Sequence, residues 1–204
     1  MTKKVKRVRR RPEDAKALIL AAAEKSMVNG GPASLRLQDV AKRAGVSHPT
    51  ILHHFGSREG LVRALNRQAF ERLTHSAINS SRSSDSSNDG VAVTFAAYRD
   101  GLAERMVWLM QSADQPPWGR LDLLENVVQD LHQLRRSFAQ KGFEPDIADT
   151  RAVIHLTTIA AFGDALIGAR LRQAGADENA SREAFERWFS ALLGMFLGKK
   201  AHGP

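Results

Sequence analysis

Apolar residues recur at three- and four-residue intervals through most of the chain, and no stretch alternates convincingly in the two-residue rhythm of a strand, so the pattern predicts an all-α fold. Pro12, Glu13 and Asp14 open the first helix. Proline is pre-shaped for the first helical position, and the two carboxylates suit the positive helix end. Leu18, Ile19, Ala22 and Met27 continue at helical spacing until Asn29-Gly30-Gly31-Pro32 stops the helix. Leu37, Val40, Ala41 and Ala44 line one face of a second helix ended by Gly45. A short third helix covers about Pro49 to Phe55, before Gly56. Ser57-Arg58-Glu59 starts a fourth, which carries Leu61, Val62, Leu65, Ala69 and Leu73 towards a core.

Asn79 to Gly90 reads NSSRSSDSSNDG and offers almost nothing to bury, so it is expected to be a flexible loop. Helical patterning then resumes: one helix over about Val91 to Gln111, another over Gly119 to Lys141, a third from after Pro145 to about Ala174. The last carries Phe185, Trp188, Phe189, Leu192, Leu193, Phe196 and Leu197 as a continuous stripe. The expected organisation is a disordered basic arm (1–11), a three-helix domain (12–56), a connecting helix (57–78), the loop (79–90) and a larger helical domain (91–204).

Charge sharpens this division. Residues 1–75 hold 16 Lys/Arg against 6 Asp/Glu, whereas residues 76–204 hold 14 against 16. The excess positive charge therefore sits in the first third, where it fits either a polyanion partner or a solubilising face. The arm, with seven Lys/Arg between Lys3 and Arg11, fits a minor-groove or phosphate contact better than a mere solubility tail. Cysteine is absent, which excludes disulfides and thiolate metal sites and points to a reducing interior. No signal-peptide pattern follows the basic start, and no apolar run is expected to cross a bilayer. A cytoplasmic protein, nucleoid-associated when bound to DNA, is the expectation.

Two short helices joined through a glycine-containing turn form a helix-turn-helix. Ala41, Gly45, Val46, Ile51 and Phe55 suit its inner side, which leaves His48, Pro49, Thr50, His53 and His54 to project outward. A threonine hydroxyl and methyl, an apolar proline edge and imidazole N–H donors all suit the edges of bases in a groove. Arg58 and the free N–H groups of its helix stand ready for a phosphate.

Residues 37–61, LQDVAKRAGVSHPTILHHFGSREGL, resemble the recognition segment of the TetR (tetracycline-repressor) family of bacterial regulators. The resemblance rests on Asp39-Val40-Ala41, Ala44-Gly45-Val46-Ser47, Thr50, and the run His54-Phe55-x-Ser57-Arg58-Glu59-x-Leu61. It implies that Gln38, His48, Pro49, Thr50 and His53 lie near base edges, that Ser47 belongs to the DNA-binding set, and that Arg36, His54 and Arg58 meet phosphates. Two positions depart from the pattern. Leu52 stands where many relatives carry tyrosine, and Arg36 where they often have a capping threonine.

Beyond Val91 the sequence is expected to dimerise and to receive a signal. Ala160, Ala161, Gly163, Ala165, Gly168 and Ala169 permit close approach of another helix, so the last two helices (146–174 and 181–197) are the expected homodimer interface. The resemblance also implies a small-molecule inducer bound in the C-terminal domain, releasing a palindromic operator on double-stranded DNA. Met106, Trp108, Met110, Trp118, Phe138, His155, Phe162 and Asp164 are the candidate contacts, with Leu124 and His132 beside them, although a Trp/Met stripe at helical spacing is more often core than pocket. Asp164 would pair with an arginine, cap a backbone group or meet the ligand. No metal or cofactor is implied, and no nucleophile elbow, phosphate loop or metalloprotease pair suggests an enzyme. A DNA-binding activator or nucleoid-associated regulator without a ligand is the alternative.

Overall fold

The computed structural model describes residues 11–28, 30–82, 88–112, 122–139, 144–172 and 177–197, and contains no strand among them. Residues 1–10 of the basic arm, Trp118 and the Phe138 side chain lie outside the described residues.

Helix α1 (Pro12–Met27) starts with proline at its first turn and buries Ala15, Ile19, Leu20, Ala22, Ala23 and Met27. Leu18 was expected to join them but stays 41% exposed, because it falls beside the buried stripe. A single 3₁₀ turn at Pro32–Ser34 leads into α2 (Leu37–Ala44). Arg36 precedes α2 without a side-chain cap, consistent with a cation standing where a hydroxyl would accept an N–H. Gly45 ends α2 at φ +65°, and its N–H bonds to the Ala41 and Lys42 carbonyls. A residue with a Cβ is disfavoured there, so glycine sets the turn. Helix α3 (His48–Phe55) follows immediately.

Helix α4 runs over Arg58–Arg82, beyond the expected end at 78. Neither proline nor glycine occurs between Leu61 and Asp89, so nothing stops the helix where the composition turns polar. The next helix, α5 (Asn88–Ala97), begins inside the same expected loop. Of the expected loop at 79–90, only 83–87 is left outside the described residues.

The single helix expected over Val91–Gln111 is broken. A π-helical turn at Tyr98–Leu102 separates α5 from α6 (Ala103–Ser112), with Gly101 at φ +96°. Gly101→Ala is expected to destabilise the fold by about 1–2 kcal/mol, because a left-handed residue with a Cβ is strained. The added Cβ would also lie 3.1 Å from Arg105 Nη1. Urea denaturation measures this, and unchanged stability would mean that the turn relaxes freely.

Helix α7 (Asp122–Phe138) packs on α8 (Ile147–Gly163), which continues through a second π-helical turn (Asp164–Gly168) into the short α9 (Ala169–Leu171). Helix α10 (Glu178–Leu197) packs on α5. By length and composition Ile147–Leu171 could cross a membrane, against the expectation of no such run. Arg151, His155 and Asp164 interrupt its apolar residues, which hid its overall apolarity. The core helix of a soluble protein passes the same test, so a single helix of this kind is weak evidence for a membrane.

Two hydrophobic cores result. One joins α1, α2 and Ile51 of α3 to Leu61, Val62 and Leu65 of α4, and takes Leu109 from α6. The other gathers Val91, Phe95, Tyr98, Leu102, Met106, Ala161, Phe189 and Leu193. The boundary expected between residues 56 and 57 therefore does not coincide with a core boundary. Three short helices bury too little apolar surface alone, and the first turns of α4 complete their core.

Candidate nucleic-acid interface

Helix α3 divides its residues cleanly. Ile51 is fully buried, and Val46 and Phe55 pack against the same core. Pro49, Leu52 and His53 are exposed, and the spacing of three and four residues puts them on one face. His48 and His54 are half-buried, and the rings of His53 and His54 meet edge to face at 5.5 Å. From α2 and its approach, Arg36, Gln38, Lys42 and Arg43 are exposed. The combination is a projecting helix with imidazole donors and apolar edges, flanked by cations. Lys42 and Arg43 were not singled out from the sequence, since a basic last turn also complements the helix dipole.

Two predicted contact residues have structural duties. Ser47 caps α3: its hydroxyl accepts from the Thr50 backbone N–H at 3.3 Å and lies 2.7 Å from Thr50 Oγ1. Thr50 is half-buried, so its hydroxyl serves the cap while its methyl is the part left to contact a base. Leu52 was read only as a departure from a pattern, yet it is 39% exposed beside Pro49 and His53.

Arg58 differs from its predicted role. Its Nη2 donates to the carbonyls of Pro32 and Ala33 at 3.0 and 3.1 Å, and its guanidinium carbon lies 4.7 Å from the centre of the Trp108 ring. It is therefore turned inward rather than held out for a phosphate. The free N–H groups of α4 are partly used as well. Ser57 Oγ accepts from Gly60 N at 3.0 Å, and Glu59 is held below the usual carboxylate range, chiefly by a hydrogen bond to its own backbone.

The candidate ligand contacts do not converge on one place. Met106 and Phe162 belong to the second core, around Tyr98, whose ring meets Phe70 and Phe162 edge to face. The Tyr98 hydroxyl lies beside Thr158 but outside hydrogen-bond geometry, and burial pushes its pKa up to about 12. Trp108 faces the other core, and Met110 and His155 are exposed. Leu124 and His132 are half-buried on α7, where His132 Nδ1 lies 3.1 Å from Thr150 Oγ1. Asp164 follows the pairing expectation. Its side chain is 4% exposed and bonds Arg172 and Arg99, and Arg99 also reaches Glu186 on α10 at 2.6 Å.

This is a helix-turn-helix unit mounted on a helical C-terminal domain. Residues 19–65 match the family model described as bacterial regulatory proteins, tetR family. The match covers 47 of the chain's 204 residues and concerns the helix-turn-helix region with the start of α4. It is 36% identical over 62 residues to an HTH-type transcriptional repressor of Mycobacterium tuberculosis, a match covering 30% of this chain. The match spans about a third of that relative's length, 33%. The fold resembles that of the TetR family repressor AlkX from a Dietzia strain, described as implicated in biodegradation of n-alkanes. The two share 17% identity and a TM-score of 0.55 over 89% of this chain and 96% of that one. It also resembles the transcriptional regulator FadR from Bacillus subtilis in complex with stearoyl-CoA, with 15% identity and a TM-score of 0.56 over 87% and 96% of the two chains.

Proposed function

We propose that this protein is a homodimeric transcriptional regulator that represses by binding a palindromic operator through α3 and is released by a small molecule in the C-terminal domain. The observation that carries the reading is the outward face of α3, where Pro49, Leu52 and His53 are exposed while Ile51 anchors the helix beneath them. A helix held this way can enter a major groove, with His48, His53 and Gln38 reading base edges and Arg36 and His54 steering on phosphates. The repressor role follows the M. tuberculosis relative.

Pairing is supported by the surface of α8 and α9. Leu156, Ile159, Leu166, Ile167 and Leu171 are all more than a third exposed, along the continuous run from α8 through its π-helical turn to α9. On α10, Trp188 and Met195 are each 59% exposed. Apolar side chains grouped on one long helix and its neighbour favour burial against a second copy. The ligand part rests on the aromatic interior around Tyr98, Met106 and Phe162, and on the stearoyl-CoA in complex with the similarly folded FadR of Bacillus subtilis.

Selection from random-sequence DNA tests the reading and should return a two-fold symmetric site. On that site His53→Ala is expected to lose about 1–3 kcal/mol of binding while random DNA is bound as before. An equal loss on both would show that His53 reads no base.

A further inference from the structure

Arg58 is the residue whose placement the DNA-binding reading leaves unexplained. It starts α4 three residues after the last residue of α3, yet its guanidinium is directed away from the exposed face of α3. One edge donates to two carbonyls of the 3₁₀ turn that joins α1 to α2. The planar face lies over the indole of Trp108 on α6, 4.7 Å from its centroid. This arrangement needs the rigid, flat fork of arginine, since a lysine ammonium cannot both stack and bridge two oxygens in the same way.

Helix α6 holds the same turn at a second point. Glu104, one helical turn before Trp108, packs so closely on Gly31 that a Cβ at Gly31 would collide with its carboxylate. Gly31 sits at φ +57°, so the backbone there favours glycine as well. The same helix faces two ways. Trp108 and Leu109 pack into the core of the DNA-binding unit, while Ala103 and Met106 pack into the C-terminal core.

We propose that Arg58 and Trp108 form a latch that fixes the angle of the DNA-binding unit on α6, making Arg58 a positioning residue for operator binding and not a phosphate ligand. The inference rests on the DNA-binding reading above.

The test uses full-length protein and the site recovered by random-sequence selection. Arg58→Ala, Arg58→Lys and Trp108→Ala are each expected to weaken binding to that site about tenfold, with the slope of log K against log salt unchanged. The double variant should lose no more than either single one, as coupled residues do. Trp108→Phe, which preserves most of the packing, keeps the test open if Trp108→Ala fails to fold. A spectroscopic arm needs no DNA: with Trp118 and Trp188 replaced by phenylalanine, Arg58→Ala should alter the emission of Trp108.

A phosphate ligand would behave differently. Arg58→Ala would then reduce the salt slope by about one per head, Arg58→Lys would keep most of the affinity, and the Trp108 variants would bind normally. That result, additive losses or unchanged Trp108 emission would each overturn the latch. Failure of the unaltered protein to select any sequence would overturn the DNA-binding reading instead, and the emission change would still report the contact.

Discussion

Asp164→Ala is expected to destabilise the protein by about 3–5 kcal/mol, the usual cost of leaving a buried charge without its partner. The Asp164 side chain is 4% exposed, and its two oxygens hold Arg172 at one end and Arg99 at the other. Arg99 also pairs with Glu186, so it keeps one carboxylate after the substitution; Arg172 is 15% exposed and loses the partner that neutralises it. The arrangement ties the two π-helical turns together and connects them to α10, so its loss should loosen the C-terminal core as a unit. Asp164→Asn keeps the shape and one hydrogen-bond acceptor and should fall between the two. Urea denaturation followed by circular dichroism measures the difference. A loss below about 1 kcal/mol would mean that water reaches the arginines and replaces the carboxylate, as it does for exposed pairs.

If the chain pairs as proposed, Ile159→Glu is expected to convert the proposed dimer to monomer and lower affinity for a two-fold operator by about 100-fold or more. Ile159 is 69% exposed at the middle of the apolar stripe on α8. A carboxylate buried opposite its own copy would meet a like charge in a desolvated interface. Binding both half-sites through one dimer gains an effective-concentration factor of about 10²–10⁴ over a single head, and a monomer forfeits it. Sedimentation gives the mass and a titration on full and half operators gives the affinity. The variant should bind a half-site as well as the unaltered protein does. A dimer that survives the substitution would place the interface elsewhere.

Several features were legible in the residues alone. The helical period, the proline at the start of α1 and the glycine after α2 are local signals, set by backbone sterics within a few positions, and the helices they predict are present. The outward-facing set expected on α3 was legible only in part: Pro49 and His53 are exposed, His48, Thr50 and His54 are half-buried, and Leu52, which was not in that set, is exposed. Asp164 was marked as needing a partner because a carboxylate amid IAAFGDALIG is costly unless paired. Its partner lies 65 residues away in Arg99 and eight away in Arg172, and no local pattern selects them.

What tertiary structure decided concerns Arg58, Trp108 and the domain boundary. From sequence, an arginine after a recognition helix is a phosphate contact, and a tryptophan in a Met-rich helix is core or pocket. Only the packing of α6 across the start of α4 shows that each occupies the other. Similarly, Leu109 completes a core formed mostly from residues numbered below 66, which no reading of adjacent residues could place. The helix-turn-helix is therefore a product of short-range sequence. The angle at which the protein holds it depends on contacts between residues about fifty positions apart, where side-chain shape and charge, not local propensity, choose the neighbour.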